Sequence, residues 1–247
     1  MNISFIITCY NCESYIINNI YKLYNKLRRS NIKYEIILVD DCSSDKTFFY
    51  INKLKRKIRK LRILRNIKNY GKSFSIIKGI KICKYNYVIF IDCDFPYFKS
   101  IFRIIKYLKK NDMVIINRRE KKSRLENKKP NFYQSMRMVL GFVINRFIRI
   151  WFNIKIKDTQ AGLKGFIKPK SFSKIKFISK RFFFDLELIL LFVSSKKKIV
   201  SLSTSHFVNA NSTINFFDLK KNFEILSELI KICFNYKLIN EKTNNYM

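Results

Sequence analysis

Short apolar runs alternate with amphipathic stretches along the first 116 residues, and this alternation constrains the fold more than any other feature. The apolar runs are rich in Ile, Val and Phe and are typical of strands: Ile3–Thr8, Glu35–Val39, Arg62–Leu64, Tyr87–Ile91 and Met113–Ile116. The stretches between them have helical spacing: Glu13–Arg29, Lys46–Lys60, Ser73–Lys84 and Phe98–Lys109. Strands that are apolar on both faces and separated by helices predict an α/β fold, in which helices cover both faces of a mostly parallel central sheet.

The pattern changes after residue 116. The charged segment Arg118–Lys129 has no apolar face and predicts a loop. The following segments predict a helix, a strand, a helix, a strand and a last helix: Phe132–Phe152, Gly162–Ile167, Phe183–Val193, Ile199–Ser205 and Phe216–Lys237. Because no linker or repeat divides the chain, we expect a single domain over 1–237, in halves of 1–116 and 117–237, followed by a polar tail over 238–247.

The composition is strongly basic, with 51 Lys and Arg against 17 Asp and Glu and a net charge of +34. Lys, Asn, Ile, Tyr and Phe are abundant together, as an AT-rich genome alone would produce. The charge therefore leaves open whether an anionic membrane, a phosphate-bearing substrate or nucleic acid is involved. Charges interrupt every long apolar run and the N-terminus lacks a basic leader, so we expect neither a membrane span nor a signal peptide. The scattered cysteines indicate free thiols in a reducing compartment.

Acidic residues are scarce but gather where strands are predicted to end. Asp40 and Asp41 follow the second strand, where their carboxylates can accept hydrogen bonds from a nucleobase or a ribose, or form an acidic turn. Asp92 and Asp94 end the fourth strand, and side chains two apart on an extended chain point the same way. Two such carboxylates repel unless a cation lies between them. Their oxygen ligands indicate a Mg²⁺ or Mn²⁺ site, with a solvated acidic turn as the alternative.

Gly71 and Lys72 stand at the predicted start of the third helix. A helix N-terminus offers free N–H groups, and the lysine adds a cation, so this position suits a phosphate group. Gly71 alone is equally compatible with a simple turn.

Together these motifs resemble glycosyltransferase family 2. The resemblance is carried by Ile7-Thr8-Cys9-Tyr10-Asn11, by Val39–Asp45, by Asn69-x-Gly71-Lys72 and by Asp92-x-Asp94. The segment Asp158-Thr159-Gln160-Ala161-Gly162-Leu163-Lys164 is similar to the Asp-Thr-Gln-Cys-Gly-Phe-Lys segment of the polyprenyl-phosphate sugar synthases within that family. That subgroup, and its dolichyl-phosphate β-glucosyltransferases most closely, is also matched by Arg137, by Phe184–Leu188 and by the spacing from His206 to Ser212. The resemblance extends over about residues 3 to 235.

The resemblance implies a GT-A-type fold that binds a nucleotide sugar through its first half and an acceptor through its second. The implied nucleotide-sugar residues are Thr8, Tyr10, Asn11, Glu13, Asp40, Asp41, Ser43, Gly71, Lys72 and Asp92. The implied metal ligands for Mg²⁺ or Mn²⁺ are Asp92, Asp94 and Gln160, and the implied catalytic residues are Asp92, Asp94, Asp158, Arg118 and Arg137. The implied acceptor residues are Arg118, Arg137, Lys164, Asp185, Glu187 and Ser212.

The family's reaction implies an inverting, metal-dependent transfer of a hexose, here glucose from UDP-glucose, onto a polyprenyl or dolichyl phosphate. It implies a cytoplasmic protein, peripheral at the cytosolic face of a membrane. We expect the basic loop and the helix Phe132–Phe152 to contact anionic lipid; the alternative is that this helix packs into the core. The chain departs from the family pattern at five positions: Thr8, Cys12, Ser73, His206 and Thr213.

Other functions remain open from the sequence. The donor can instead be GDP-mannose, or the acceptor a hydroxyl group that needs Asp185 or Glu187 as a base. Interleaved Tyr, Phe and Lys residues also occur in nucleic-acid-binding proteins, but here the basic residues are spread over every predicted helix, so we expect no specific nucleic acid. An inactive relative is a third possibility, against which Asp92, Asp94, Asp158 and Gln160 argue. The sequence does not indicate an oligomeric state.

Overall fold

A computed structural model of the chain describes residues 1–126, 132–206 and 219–244. Its strands are β1 (Asn2–Cys9), β2 (Lys33–Asp40), β3 (Leu61–Arg65), β4 (Tyr87–Asp92), β5 (Met113–Asn117), β6 (Arg124–Leu125), β7 (Leu163–Ile167), β8 (Ile199–Ser203) and β9 (Ser205–His206). Its helices are α1 (Ile16–Arg28), α2 (Thr47–Lys57), α3 (Lys72–Ile82), α4 (Ile101–Leu108), α5 (Phe132–Trp151), α6 (Phe184–Ser194) and α7 (Leu219–Asn244).

The central sheet has the strand order β3-β2-β1-β4-β7-β5-β8. All neighbouring pairs are parallel except those of β7, which runs antiparallel to both β4 and β5. The mostly parallel α/β sheet expected from the sequence is therefore confirmed. The single reversed strand places the chain around residue 162 beside the end of β4.

Successive residues along each central strand pack on opposite faces of the sheet. On one face, Ile7, Leu38 and Ile89 join a core that α1, α2 and α4 complete. On the other, Ile6 and Phe90 join a core completed by α3, α5, α6 and α7. Burial on both faces explains why these strands are continuously apolar in the sequence.

Some element ends differ from the expectation. Helix α1 begins at Ile16 instead of Glu13, because the preceding residues form a loop bonded to the segment after β2. Part of the predicted loop Arg118–Lys129 forms β6, which pairs with β9. Two-residue strands carry no hydrophobic alternation, so the sequence pattern gave no sign of them. Helix α7 continues to Asn244, into the segment predicted as a polar tail.

Helix α5 has two kinds of apolar surface. Ile148 on α5 and Phe152 directly after it are buried, with exposures of 0% and 8%, as the alternative of a helix packed into the core predicts. Phe142, Phe147 and Trp151 remain exposed, as expected for an interfacial helix. Within the described ranges, none of the helices combines the length and the hydrophobicity that crossing a bilayer requires.

Candidate active site

The ends of three parallel strands meet at one edge of the sheet, as the sequence predicted. Thr8 on β1 is paired with Asp92 on β4, and Cys9 is paired with Asp40 on β2. Asp40 in turn is paired with Arg65 at the end of β3. This register brings the acidic residues of β2 and β4 to the two sides of β1, where ligands bind in sheets of this type.

The loops after β1 and β2 are joined by reciprocal hydrogen bonds. The Asn11 amide donates to Ser43 Oγ at 3.0 Å, and the Ser44 amide donates to Asn11 Oδ1 at 2.9 Å. The Lys46 amide donates to Glu13 Oε2 at 2.7 Å, just before α2 begins. Three predicted nucleotide-sugar residues, Asn11, Glu13 and Ser43, therefore hold the two loops in a fixed relative position.

Asp41 is buried and accepts three hydrogen bonds from the chain that precedes α3. The donors are Asn66 Nδ2 at 2.7 Å, the Tyr70 amide at 3.1 Å and the Gly71 amide at 2.7 Å. Its carboxylate thus fixes the loop that leads to Lys72, a task that the sequence did not predict. The neighbouring Asp40 is also buried and lies 3.2 Å from Arg65 Nε.

Gly71 makes the turn into α3 with a φ of +102°, which favours glycine. A Cβ at this position would also lie 2.8 Å from the Arg181 Cα, so a side chain has no room. Lys72 therefore begins the helix in a defined position, and its Nζ lies 2.7 Å from Asp92 Oδ1 and 3.9 Å from Asp185 Oδ2. Burial opposes its charge, but the two aspartates raise the pKa of Lys72 above its usual value.

The carboxylate of Asp92 lies directly against the backbone of the reversed segment. The Asp92 amide donates to the Gly162 carbonyl at 3.1 Å, and a Cβ on Gly162 would lie 1.7 Å from Asp92 Oδ2. Burial raises the pKa of Asp92, and the Lys72 ammonium opposes that rise. A partly buried carboxylate that is paired with a single lysine can bind a further cation.

Asp94 follows Asp92 in a tight turn, in which the Phe95 amide donates to the Asp92 carbonyl at 3.0 Å. Phe95 has a φ of +51°, an uncommon conformation for an aromatic residue, and its buried ring stacks on Phe98. Packing of this ring stabilises the turn that carries both carboxylates.

The donor set fits a hard divalent cation that is shared with a diphosphate. Asp92 and Asp94 supply carboxylate oxygens. The buried Gln160 Nε2 has no hydrogen-bond partner in the described part of the chain; as a donor it suits a phosphate oxygen, and only the Oε1 of this side chain can ligate a metal. No group of three His, Cys, Asp or Glu side chains around a metal position occurs among the residues described. Mg²⁺ and Mn²⁺ sites of this kind need only one or two carboxylates, because phosphate oxygens and water complete the coordination.

Asp158, which is buried, and Arg118, which is partly buried, form an ion pair at the end of β5. Arg118 donates from Nε to Asp158 Oδ2 at 2.7 Å and from Nη2 to Oδ1 at 2.8 Å, and its amide adds a third bond at 3.0 Å. Burial alone raises the pKa of a carboxyl group, but Arg118 holds the pKa of Asp158 well below its usual range. The same carboxylate accepts a bond from the Gln160 amide, so it also orients the segment that reaches Asp92.

Lys164 and Asp185 are both buried and form a direct ion pair. Lys164 Nζ also donates to the Ala161 carbonyl at 2.6 Å. Burial lowers the pKa of Lys164, and Asp185 opposes that change. Because Asp185 also lies near Lys72, the pair links β7 and α6 to the Lys72–Asp92 contact.

Glu187 lies outside this cluster of charges. Its carboxylate accepts bonds from the Ile178 amide at 2.8 Å and the Ser179 amide at 2.7 Å. Burial raises the pKa of Glu187, and the two amide bonds oppose the rise. This carboxylate therefore anchors the backbone at residues 178 and 179, and its contact with the acceptor stays a prediction.

Three other predicted residues are Tyr10, Arg137 and Ser212. Tyr10 is exposed on the loop after β1. Arg137 belongs to α5, but its side chain is outside the described part of the structure, and Ser212 lies outside the described residues altogether.

Comparison with known proteins now identifies the family. Residues 4–171 match the model of Glycosyl transferase family 2. The chain belongs to glycosyl transferase family 2. The expectation of a nucleotide-sugar-dependent glycosyltransferase with a GT-A-type fold is thereby confirmed at the level of the family.

Two curated family 2 relatives support the predicted subgroup. The chain is 25% identical over 227 residues to a dolichyl-phosphate beta-glucosyltransferase of Dictyostelium discoideum, covering 88% of this chain and 68% of that protein. It is 26% identical over 216 residues to a dolichyl-phosphate beta-glucosyltransferase of Trichomonas vaginalis, covering 81% of this chain and 64% of that protein. The chain thus spans about two thirds of these two relatives.

A solved structure supports the fold. The glucosyl-3-phosphoglycerate synthase of Mycobacterium tuberculosis, crystallised with Mn²⁺, UDP and glucosyl-3-phosphoglycerate, superposes with a TM-score of 0.64 at 13% identity. The match covers 94% of this chain and 80% of that one. At this identity the likeness establishes a shared fold and no more.

The structure also shows a residue that the sequence did not single out. Glu228 on α7 accepts bonds from the Lys180 amide at 2.9 Å, the Arg181 amide at 2.8 Å and the Ser179 hydroxyl at 3.1 Å. It therefore holds the loop that closes over Gly71. The only sequence signal was an acidic residue within a mostly basic and apolar helix.

Proposed function

We propose that this chain is an inverting, metal-dependent glycosyltransferase that moves glucose from UDP-glucose to a polyprenyl or dolichyl phosphate at the cytosolic face of a membrane. The observation that carries the proposal is the Lys72–Asp92–Gly162 contact at the end of β4. It places a cation, a carboxylate and a close backbone strand at the edge where family 2 proteins are expected to bind a nucleotide sugar. The family relatives named dolichyl-phosphate beta-glucosyltransferase support the choice of sugar and acceptor.

The residues of 1–116 bind the donor in this proposal. Asp92, Asp94 and Gln160 hold a Mg²⁺ or Mn²⁺ ion together with the diphosphate. When bound, that ion neutralises the charge that develops on the departing nucleoside diphosphate. Lys72 adds a second positive charge at the same place. The predicted free amides at the start of α3 are not available to a phosphate, because the Ser73 and Phe74 amides already donate to the Arg181 and Lys180 carbonyls.

The residues of 117–237 bind the acceptor. Arg118 and Arg137 contact the acceptor phosphate, for which a guanidinium offers paired donors. A phosphate monoester has a second pKa of about 6, so near neutral pH its oxygen is already ionised and attacks the sugar without a general base. Attack from the face opposite the leaving diphosphate inverts the configuration at the sugar carbon.

The state of Asp185 and Glu187 favours a phosphate acceptor over a hydroxyl acceptor. A hydroxyl group needs a base to remove its proton. Asp185 is paired with Lys164, and Glu187 is bonded to two backbone amides, so both candidate bases are already engaged. A phosphate needs neither of them.

Exposed apolar residues on α5 support contact with a membrane. Val139, Val143 and Ile150 are 63%, 56% and 69% exposed and lie on one side of the helix. Arg119 connects this helix to the site, since its Nη2 donates to the Gly141 carbonyl at 2.9 Å and its guanidinium lies over the Phe142 ring. A lipid phosphate held at the membrane surface would thus be presented close to Arg118.

The test is product formation with defined substrates. The full chain is incubated with UDP-glucose or GDP-mannose, Mg²⁺ and a polyprenyl phosphate. The lipid fraction is then extracted, and its products are identified by mass spectrometry. We expect glucosyl polyprenyl phosphate to form from UDP-glucose, and no such product to form after a chelator is added. Product from GDP-mannose alone would overturn the choice of donor, and no product from either would overturn the proposed reaction.

The metal assignment is tested with Asp94→Ala and the isosteric Asp94→Asn. We expect both variants to lose turnover, because this carboxylate holds the ion in the proposal, and to show little change in melting temperature. If either variant still formed the lipid-linked sugar at the original rate, the metal assignment would be wrong.

A further inference from the structure

Three thiols meet directly behind the turn that carries Asp92 and Asp94. Cys9 ends β1, Cys12 follows in the next loop, and Cys93 stands between the two aspartates. Cys9 and Cys12 belong to the core cluster on the α1 side of the sheet, and Cys93 packs against that cluster. All three are free; Cys9 and Cys12 are buried, and Cys93 is partly exposed. The proposed function uses none of them.

The strand register brings two of the thiols within bonding range. Thr8 is paired with Asp92, so the residues that follow them lie side by side: Cys9 ends β1, and Cys93 begins the turn after β4. Adjacent strands lie about 4.8 Å apart, which falls within the separation of about 4.4 to 6.8 Å between the Cα atoms of a disulfide. Both side chains also belong to the same core, on the α1 side of the sheet.

Polar neighbours hold the cluster in place. The Tyr15 hydroxyl lies 3.9 Å from Cys93 Sγ, and Asn19 Nδ2 donates to the Cys93 carbonyl at 2.8 Å. The Thr47 hydroxyl lies 3.8 Å from Cys12 Sγ. Helices α1 and α2 thus fix the thiols from one side, while the carboxylates of the turn project toward the site.

We propose that Cys93 is an oxidation site that forms a reversible disulfide with Cys9 or Cys12 and thereby disables the Asp92–Asp94 turn. The oxidant is a peroxide, which reaches Cys93 because this thiol is partly exposed. The consequence for cation binding rests on the proposed function, whereas the disulfide itself does not.

The chemistry balances in two steps. Cys93 sulfur attacks a peroxide oxygen; an S–O bond forms, the O–O bond breaks, and a sulfenic acid and water (or an alcohol) result. The sulfur of Cys9 or Cys12 then attacks the sulfenic sulfur, an S–S bond forms, and a second water leaves. Two electrons pass from the thiols to the peroxide, and a dithiol reductant returns them by exchange.

The bond would displace the turn. A disulfide is about 2.05 Å long, which is much shorter than a contact between two unbonded sulfur atoms. Closing that distance pulls Cys93 toward β1 and changes the relative positions of the two carboxylates beside it. Magnesium tolerates little departure from octahedral geometry, so cation binding falls.

The first measurement maps the bond. The reduced full chain is treated with hydrogen peroxide, blocked with an alkylating reagent, digested without reductant and analysed by mass spectrometry. We expect a peptide containing Cys93 linked to one containing Cys9 or Cys12, and its loss after dithiothreitol. Cys93→Ser should form no such link, whereas Cys83→Ser, which removes a buried thiol elsewhere, should still form it. Absence of the link, or a link that omits Cys93, would overturn the proposal.

The second measurement follows the turn and its cation. We expect oxidation to speed hydrogen exchange at the Phe95 amide, which is bonded to the Asp92 carbonyl, and to weaken Mn²⁺ binding about tenfold or more by electron paramagnetic resonance. Equal effects of peroxide on Cys93→Ser would overturn the control of the turn. If the reduced chain bound no Mn²⁺, the proposed metal site would fail, while the mapped disulfide and the exchange rate would still decide this inference.

Discussion

Gly162 lies so close to Asp92 that a Cβ on the glycine would stand 1.7 Å from the aspartate Oδ2. The Gly162 carbonyl also accepts a hydrogen bond from the Asp92 amide. The two backbone segments therefore cannot move apart without breaking this bond between β4 and the reversed segment. The carboxylate of Asp92 is therefore positioned by the absence of a side chain opposite it.

We expect Gly162→Ala to displace the Asp92 carboxylate and to reduce turnover at least about a hundredfold, since small displacements in such sites have effects of this size. Mn²⁺ affinity, measured by paramagnetic resonance, should fall with it. Gly141→Ala is the matched control, because a Cβ there meets nothing within 4 Å and alanine favours the helix. Similar turnover in the two variants would show that the contact does not position Asp92.

The strand-end carboxylates were predictable because strand registers in a parallel sheet follow from apolar runs. The sequence placed Asp40 and Asp92 at the ends of two strands, and in the structure both lie at one edge of the sheet. The contact of Gly162 was not predictable, because it depends on the antiparallel insertion of β7, which leaves the same apolar signal as a parallel strand. Family resemblance, not residue pattern, had marked that segment.

The hydrogen bonds of Glu187 and Glu228 to backbone amides were not predicted, for a similar reason. Glu187 was expected at the acceptor, yet it holds two backbone amides, and Glu228 holds the loop above Gly71. Both depend on loops whose path no periodicity describes. A carboxylate that binds backbone and one that binds substrate look identical in a sequence.

Glu228 provides a prediction about the donor site. Glu228→Gln removes the charge that the Lys180 and Arg181 amides contact, so the loop over Gly71 should loosen. We expect a loss of about 1 to 3 kcal/mol in the free energy of unfolding, the usual range for hydrogen bonds to a charged group, and weaker UDP binding by calorimetry.

Glu224→Gln is the comparison for that variant. Glu224 contacts the same Arg181, but through a half-exposed side-chain pair at 2.8 Å, which contributes less than about 1 kcal/mol. UDP affinity reduced equally in both variants would mean that loss of acidic charge on α7, and not the anchored loop, is responsible.

His206 provides a prediction about pH. Burial, assisted by Arg118, lowers the pKa of His206, so its ring stays neutral in the folded chain at pH 7. The unfolded value is about 6.5, so the stabilisation is complete above that pH and is lost as the pH falls below it toward the folded value. The slope cannot exceed about 1.4 kcal/mol per pH unit for one proton.

Urea unfolding of the original chain and of His206→Gln measures this effect. The experiment runs from about pH 7.5 to about pH 5, which brackets the ordinary histidine pKa of about 6.5. The free energy of unfolding should decline more steeply for the original chain, because the variant has no ring to protonate. Other groups titrate in both proteins and cancel in the difference. Parallel curves would mean that His206 binds its proton equally in the folded and unfolded states.

Trp151 reports directly on the proposed membrane surface. It is the single tryptophan of the chain, and it is 47% exposed at the end of α5. We expect vesicles containing anionic lipid to shift its emission to shorter wavelength, because the indole leaves water. Vesicles of neutral lipid should shift it less, and salt should reverse part of the change, because basic residues are attracted by anionic headgroups.

A pair of variants separates apolar insertion from charge. Val139→Ser combined with Val143→Ser removes two exposed methyl-bearing groups one helical turn apart without changing the charge. At about 0.8 kcal/mol for each buried CH₂, this change should weaken vesicle binding at least about tenfold. Phe49→Ser on α2, on the other face of the sheet, removes a ring that is 54% exposed and should leave binding unchanged. If the Phe49 variant lost as much affinity as the double variant, the membrane would not be contacting α5 in particular, and the basic charge of the whole chain would account for the attraction.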